Sequence, residues 1–294
     1  MSGAMLGRRD LLRGAGALGA IGLAGAAAAR PGRGRSLGLA DITVAKELAR
    51  DYAGTLRQVA AMGYTHFGFK IAGYTPAITE RDPREKAKMV RDAGLAVGAV
   101  RFSVIGADYD RQIADAVAVG ATEVVMSAGA PFLASRPVGT ATRAAFDAWL
   151  PQLAALGAKC RAAGLTFAYH NHWWDLLPLG GEAPLDVMAR TIPPSDLAFE
   201  VDLAWAWWAG VAPLDLIARL GPRVASMHFK DIDRTRGKGT TDHAVVIGSG
   251  EMGYAALLPR LRRLTSAIGY VEVDAPPDGL VAAAEGARFF HAHR

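Results

Sequence analysis

The feature that most restricts the fold is a repeated change from helical to strand-like sequence, marked each time by a glycine. Gly63, Gly94, Gly120, Gly164, Gly221 and Gly269 each close a stretch of helical periodicity, at the place where a helix C-terminus calls for a left-handed residue. A β-rich run follows each of them, over residues 64–70, 95–103, 122–127, 165–170, 224–229 and 270–274, and residues 37–40 and 197–202 bring the strands to eight. Helical segments at 44–62, 83–93, 109–119, 144–163, 213–220 and 254–267 fill the gaps. Strict β/α alternation implies parallel strands with right-handed crossovers. Eight units in about 255 residues fit a single closed (β/α)8, or TIM, barrel better than an open doubly wound sheet. No G-x-G-x-x-G follows the first strand, which removes the main support for a dinucleotide-binding alternative.

Residues 1–35 have a different character. Arg8-Arg9-Asp10-Leu11-Leu12-Arg13 precedes a run to Ala29 that carries no charge and is rich in Gly, Ala and Leu. Paired arginines, a weakly apolar run and the small residues Ala26 to Ala29 are the parts of a twin-arginine export signal followed by a short linker. The expectation is export to the periplasm by the twin-arginine translocase, with residues 36–294 as the barrel. An apolar run of roughly 16 residues falls short of the ~20 that a bilayer span needs, so no stable membrane span is expected.

This segment also holds the whole formal excess of +5; from Ser36 onward 27 basic residues face 27 acidic ones. That balance gives no support for a nucleic-acid partner. Cys160 is the only cysteine, so no disulfide can form within the chain, and its apolar helical context suits a small buried hydrophobe.

In a barrel of this kind the active site is built at the C-terminal ends of the strands, and there the sequence becomes polar. The fifth strand ends in His170-Asn171-His172, the sixth in Glu200-Val201-Asp202, the seventh in His228-Phe229-Lys230-Asp231 and the eighth in Glu272-Val273-Asp274. Side chains alternate along a strand. With Phe199, Val201, Met227, Phe229, Val271 and Val273 facing the helices, the residues Glu200, Asp202, Ser226, His228, Lys230, Glu272 and Asp274 face the lumen, together with His170 and His172.

Any one of these residues alone is satisfied by a buried salt bridge or a core hydrogen bond. Four strands aiming carboxylates and imidazoles at one place need compensating positive charge, because desolvation and mutual repulsion oppose ionisation. A divalent cation supplies it. Mixed nitrogen and oxygen donors suit Mn, Zn, Co or Fe better than Ca or Mg, and the lack of cysteine ligands argues against a closed structural zinc site.

Tyr169-His170-Asn171-His172, Phe199-Glu200-Val201-Asp202-Leu203-Ala204-Trp205 with Ala209-Gly210-Val211-Ala212-Pro213, His228-Phe229-Lys230-Asp231 and Val271-Glu272-Val273-Asp274 together resemble the sugar phosphate isomerase/epimerase family of xylose isomerase-like TIM barrels. The resemblance covers nearly the whole of residues 36–294. It implies one divalent ion, Mn, Co or Zn, bound by Asp202, His228 and Glu272, with His170 in the fourth position where relatives often have Glu. His172 is the candidate for substrate contact and catalysis, or for the ligand if His170 is not. The chemistry implied is α-proton abstraction beside a carbonyl with stabilisation of the enediolate. Glu272 serves as ligand and base, Asp274 is a second carboxylate at the substrate, and Lys230 polarises an oxygen unless it pairs with Asp231.

The pocket departs from the family pattern. Gly68 beside Lys70 stands where relatives commonly have Glu, Arg101 where they have His, and Asp175 where they have Glu; the segment 248–254 lacks the usual Asp-Trp ending. Trp173, Trp174, Asp175, Asp274 and Arg101 are expected around the substrate. Trp205, Trp207 and Trp208 follow the sixth strand, with helix packing as the alternative for the last two. Gly248 and Gly250 either present backbone amides to an anion or make a plain turn. His243, His291 and His293 receive no role.

The functional expectation is an isomerase or epimerase acting on an unphosphorylated sugar or cyclitol, a small-molecule carbohydrate. Two alternatives accompany it: a metal-dependent lyase or hydratase of keto-glycosides, which begins with the same proton abstraction, and a non-catalytic periplasmic sugar-binding barrel. An endonuclease of the same fold is disfavoured by the balanced charge and the export signal.

Overall fold

Eight short runs of β-branched, aromatic and small residues close on one another because each has one face for helices and another for a shared interior. The structure, a computed structural model, describes residues 36–72, 81–236, 243–274 and 276–293; the segment expected to be the export signal lies outside them. In chain order the strands are β1 (Leu37–Ala40), β2 (His66–Lys70), β3 (Ala96–Phe102), β4 (Glu123–Met126), β5 (Thr166–His170), β6 (Ala198–Asp202), β7 (Val224–Phe229), β8 (Asp231–Ile232), β9 (Ala244–Val245) and β10 (Ile268–Val271). Eight of them form a closed parallel barrel in the order β1-β10-β7-β6-β5-β4-β3-β2, and β8 pairs with β9 as a separate antiparallel ribbon.

Period-two alternation divides the interior as expected. Phe67, Phe69, Val100, Phe102, Val124, Phe167, Tyr169, Phe199, Val201, Met227, Phe229 and Val271 join the outer core beneath the helices. Ala99, Val125, Ala168 and Tyr270 form a separate cluster inside the lumen. Tyr270 fills that space because Gly38 and Gly98 have no side chains: a Cβ on either would lie within 2.2 or 2.7 Å of its ring or hydroxyl. Its hydroxyl accepts the Ala99 amide hydrogen at 2.9 Å. The barrel floor is therefore plugged by one aromatic ring, and polar side chains occupy the layers above it.

The strand and helix boundaries largely follow the sequence expectation, with two corrections. Gly63, Gly94, Gly120, Gly164 and Gly221 have positive φ, but Gly269 lies inside β10. The preceding helix, Tyr254–Leu264, stops earlier at Thr265, which is extended. Gly269 is required instead by the close approach of Phe229, whose ring would meet a Cβ at 2.0 Å. The second correction concerns the end of the last strand, which stops at Val271 rather than Asp274. Its ladder with β7 ends at Phe229, where the β7 chain turns away into the β8–β9 ribbon. After one more bond, from the Glu272 amide to Phe229 O, Glu272 and Asp274 sit on a loop.

The Phe229 ring is itself packed against Tyr254 and Phe290, with centroids about 6 Å away, so it cannot swing aside to admit a larger residue at 269. Gly269→Ala is expected to destabilise the protein by about 1–3 kcal/mol through overpacking, measured by denaturant unfolding. An unchanged midpoint would show that the ring has room to move.

Candidate metal centre and active site

Asn171 and Asp202 show how local sequence builds the site. The Asn171 side chain accepts from the Asp202 amide at 3.0 Å and donates to the Asp202 carbonyl at 3.3 Å, locking the end of β5 to the end of β6. Asp202 then caps the helix Leu203–Trp208 through Oδ1, which accepts from the amides of Ala204 and Trp205, the usual work of an aspartate at an N-cap. Its other oxygen, Oδ2, has no hydrogen-bond partner although it is buried. Around Oδ2 lie His170 Nε2 at 3.8 Å, His228 Nδ1 at 3.9 Å and Lys230 Nζ at 3.4 Å. Glu272 Oε2 is 3.2 Å from His228 Nδ1.

Donor atoms of Asp202, His228 and Glu272 lie close enough together to hold one ion, as atoms bound at ~2.1 Å from a common metal must. The residues fit such an ion. Asp202 Oδ2 and His228 Nδ1 are buried without hydrogen-bond partners, and buried polar atoms normally have them. The charges also fit: two fixed cations, Arg101 and Lys230, face the four carboxylates of Glu200, Asp202, Glu272 and Asp274. With neutral imidazoles, a divalent cation balances the excess.

Of the two imidazoles that the sequence left as alternatives, His170 faces Asp202. His172 stands one ring further out, 5.1 Å from His170 and stacked on Trp174 at 4.4 Å. A second donor group, His170, Glu200 and His228, converges below the first. That place is taken, because Arg101 Nη2 lies 2.8 Å from Glu200 Oε1 and also contacts His228 Nε2.

Without an ion, charges compensate one another. Burial opposes the charged form of His228, but the Glu200 and Glu272 carboxylates outweigh it and push the imidazole up to about 9. Burial likewise works against Lys230, yet Asp274, Glu272 and Asp202 hold it well above the ordinary lysine range. Burial would raise Glu272, but His228 and Lys230 bring it well below the usual carboxylate value. His172 is pushed well down, by burial first and then by the His170 and Lys230 charges, so it is neutral, and its Nδ1 has no partner.

A cavity of about 510 Å³ opens over this cluster. Its wall includes Asp41, Lys70, Arg101, His170, His172, His228, Glu272 and Asp274 on the polar side, and Phe102 at the end of β3 with Ile42, Val104, Ala128 and Leu133 from the segments after β1, β3 and β4. Three residues expected at the substrate stand behind this wall. Trp174 is buried and stacks between His172 and Phe132, and Trp173 packs on Trp174 and Trp205. Asp175 is fully buried, accepting from Tyr169 Oη and the His172 amide, so it holds the His172 loop in shape.

The feared pairing of Lys230 with Asp231 does not form. Lys230 lies on the face of Trp205 and bridges Glu272 Oε1 and Asp274 Oδ2 at 2.8 Å each. Asp231 turns the other way and accepts from the amides of Gly248, Gly250 and Met252. The anion held by those glycine amides is thus internal. Trp207 and Trp208 carry Arg234 over their rings, away from the cavity wall. Glu200, Ser226 and Glu123 received no role from the sequence. The only signal was parity: Glu200 shares the inward face with Asp202, one layer deeper.

The chain belongs to the xylose isomerase-like TIM barrel family, which matches residues 56–293. Among solved structures, a sugar phosphate isomerase/epimerase from Parabacteroides distasonis ATCC 8503 has a TM-score of 0.71 at 18% identity, covering 87% of this chain and 93% of that one. An L-ribulose 3-epimerase has a TM-score of 0.63 at 16% identity, covering 87% and 93%. A probable 3-DHS dehydratase from Bacillus anthracis has a TM-score of 0.65 at 13% identity, covering 87% and 98%. At these identities the likeness concerns the fold. No curated protein matches the chain in sequence.

Beneath the site, burial, with the Glu200 charge nearby, pushes Glu123 up to about 7 from its ordinary 4.5. A carboxyl raised in the folded state contributes stability below its unfolded value and loses that contribution as pH rises through about 7. Glu123→Gln cannot ionise. Its unfolding free energy should therefore fall less than that of wild type between about pH 5 and pH 8.5 in urea titrations; equal slopes would show that Glu123 ionises without penalty.

Proposed function

We propose that the protein is a divalent-metal-dependent isomerase or epimerase of an unphosphorylated sugar or cyclitol. The observation that carries this reading is that Asp202 Oδ2 and His228 Nδ1, buried without a hydrogen bond, stand with Glu272 close enough to share one ion, at the base of a cavity lined by His170, His172, Glu272 and Asp274. Mn, Co or Zn would be held by His170, Asp202, His228 and Glu272, and would supply Lewis acidity toward neighbouring carbonyl and hydroxyl oxygens. Export through the twin-arginine route, expected from the N-terminal segment, would place this activity in the periplasm, where an unphosphorylated substrate is the natural one.

The chain's own groups divide the remaining work. Glu272 is the carboxylate that takes and returns the α-proton, at hydrogen-bond reach of the cavity. Lys230, locked between Glu272 and Asp274, stabilises negative charge developing on a substrate oxygen. Neutral His172, held in orientation by Trp174, binds a hydroxyl. The Lys230 ammonium also favours a second reading: as proton donor to a departing oxygen, it would make the same first step an elimination. Products analysed after deuterium-exchange assays separate the two, since an isomerase returns a sugar of unchanged composition and a lyase releases a smaller one.

Purified wild-type protein should contain about one equivalent of a divalent transition metal by elemental mass spectrometry. Folded Asp202→Ala and His228→Ala variants should lose it, and sugars should exchange an α-proton with D2O only in the loaded wild type. Absence of metal from folded wild type would leave a sugar-binding barrel as the better account.

Ion uptake near pH 7 should release about one proton, because His228 must surrender the one it holds up to about pH 9. Affinity should accordingly rise with pH up to that value. Calorimetry in buffers of different ionisation enthalpy measures the proton, and no release would mean that His228 is not a ligand.

A further inference from the structure

We propose that Glu200 is a positioning residue that dictates which nitrogen of His170 and which nitrogen of His228 is presented to the cavity. The inference rests on the metal reading above and concerns the layer beneath it. Glu200 is fully buried on β6, and its Oε1 lies 3.1 Å from His170 Nδ1, 3.1 Å from His228 Nε2 and 2.8 Å from Arg101 Nη2. An ionised carboxylate accepts hydrogen bonds and donates none. His170 Nδ1 must then carry hydrogen, and so must His228 Nε2 as long as Arg101 Nη2, which also contacts it, directs its own N–H to Glu200 Oε1 at 2.8 Å.

A neutral imidazole has a single N–H, so the opposite atom of each ring is left as a lone pair: Nε2 in His170 and Nδ1 in His228. These are the two nitrogens that face Asp202 Oδ2, at 3.8 and 3.9 Å. The two histidines thus need opposite tautomers to serve one site. A single shared acceptor below them enforces both.

The other carboxylate oxygen is held from beneath. Ser226 Oγ is 3.1 Å from Glu200 Oε2 and 2.5 Å from Glu123 Oε1. The Ser226 hydroxyl has one proton and can donate it to only one of these carboxylates at a time; when Glu123 is protonated, that proton is free for Glu200. The chain of donation then runs from the Glu123 carboxyl to Ser226, from Ser226 to Glu200, and meets the two imidazoles and Arg101 there. Four donors converge on Glu200 and keep it ionised as the acceptor. Carboxylates that orient ligand histidines from behind ordinarily influence metal affinity about 10–100-fold.

The competing account is that Glu200 only neutralises the buried Arg101. The variants Glu200→Gln, Arg101→Met with Glu200→Gln, and Ser226→Ala separate the two, with Zn(II) affinity and long-range ¹H–¹⁵N imidazole spectra as readouts. The positioning role requires the single Glu200 variant to bind Zn(II) about 10–100-fold more weakly than wild type. It also requires the double variant, in which no buried cation is left unpaired, to stay as weak. In wild type the spectra should assign N–H to His170 Nδ1 and, once Zn(II) has displaced its second proton, to His228 Nε2, and in Glu200→Gln they should show mixed tautomers. Ser226→Ala, the mildest change, should lose affinity by a smaller factor.

Recovery of wild-type affinity and tautomers in the double variant would overturn the proposal and leave Glu200 as a counter-ion. Wild type that binds no Zn(II) would refute the metal reading alone. The tautomer of His170 in the metal-free protein would then still decide what Glu200 does.

Discussion

Four carboxylates, Glu200, Asp202, Glu272 and Asp274, converge at the mouth of one barrel, three of them buried, and everything around them answers the electrostatic problem this creates. Arg101 meets the deepest one from below, and Lys230 crosses between the other three from the β7 side. Two cations leave an excess of negative charge, and His228 absorbs part of it by holding a proton to about pH 9. Buried charges persist only when paired. A divalent cation in place of that proton would balance the remaining carboxylate charge, as the proposed metal site requires.

Gly68 and Arg101 share one volume of the barrel interior. A Cβ at position 68 would lie 3.2 Å from Arg101 Nη1 and 3.0 Å from the Ala99 carbonyl, so a long side chain there and the guanidinium of Arg101 would claim the same volume. Below them Tyr270 occupies the lumen space opened by Gly38 and Gly98. Arg101 reaches inward to Glu200 through the space that a side chain at position 68 would take. The cavity wall on this side is correspondingly made by Lys70, Asp41 and the apolar loop residues.

Much of this was legible residue by residue. Alternation with a period of two placed Asp202, His228 and Glu272 on the inner face, since a parallel barrel strand has only two faces and the apolar partners claim one of them. The misplacements have equally definite causes. Gly269 looked like a helix cap, but the space it leaves is needed by Phe229, a residue some forty positions earlier in the chain. Trp173, Trp174 and Asp175 follow directly on His172 in sequence, yet the tight turn at Trp173–Leu176 rotates them behind it, where Asp175 ties down the His172 amide. Lys230 and Asp231 are neighbours in sequence and point to opposite sides, as adjacent residues of extended chain do.

Local chemistry was enough to determine the number of barrel strands (though not the β8–β9 ribbon), the face each barrel residue occupies and the kinds of donor brought to the C-terminal ends. Those properties depend on periodicity and capping, which act over a few residues. Which nitrogen of His170 meets Glu200, which oxygen of Asp202 is left without a hydrogen bond, and whether Lys230 finds Asp231 or Glu272 were decided only by the closed structure. They depend on the stagger between strands that are 26 to 99 residues apart in the chain, as in the contacts Ser226–Glu200 and Arg101–Glu200, and no local pattern specifies distances between groups so far separated.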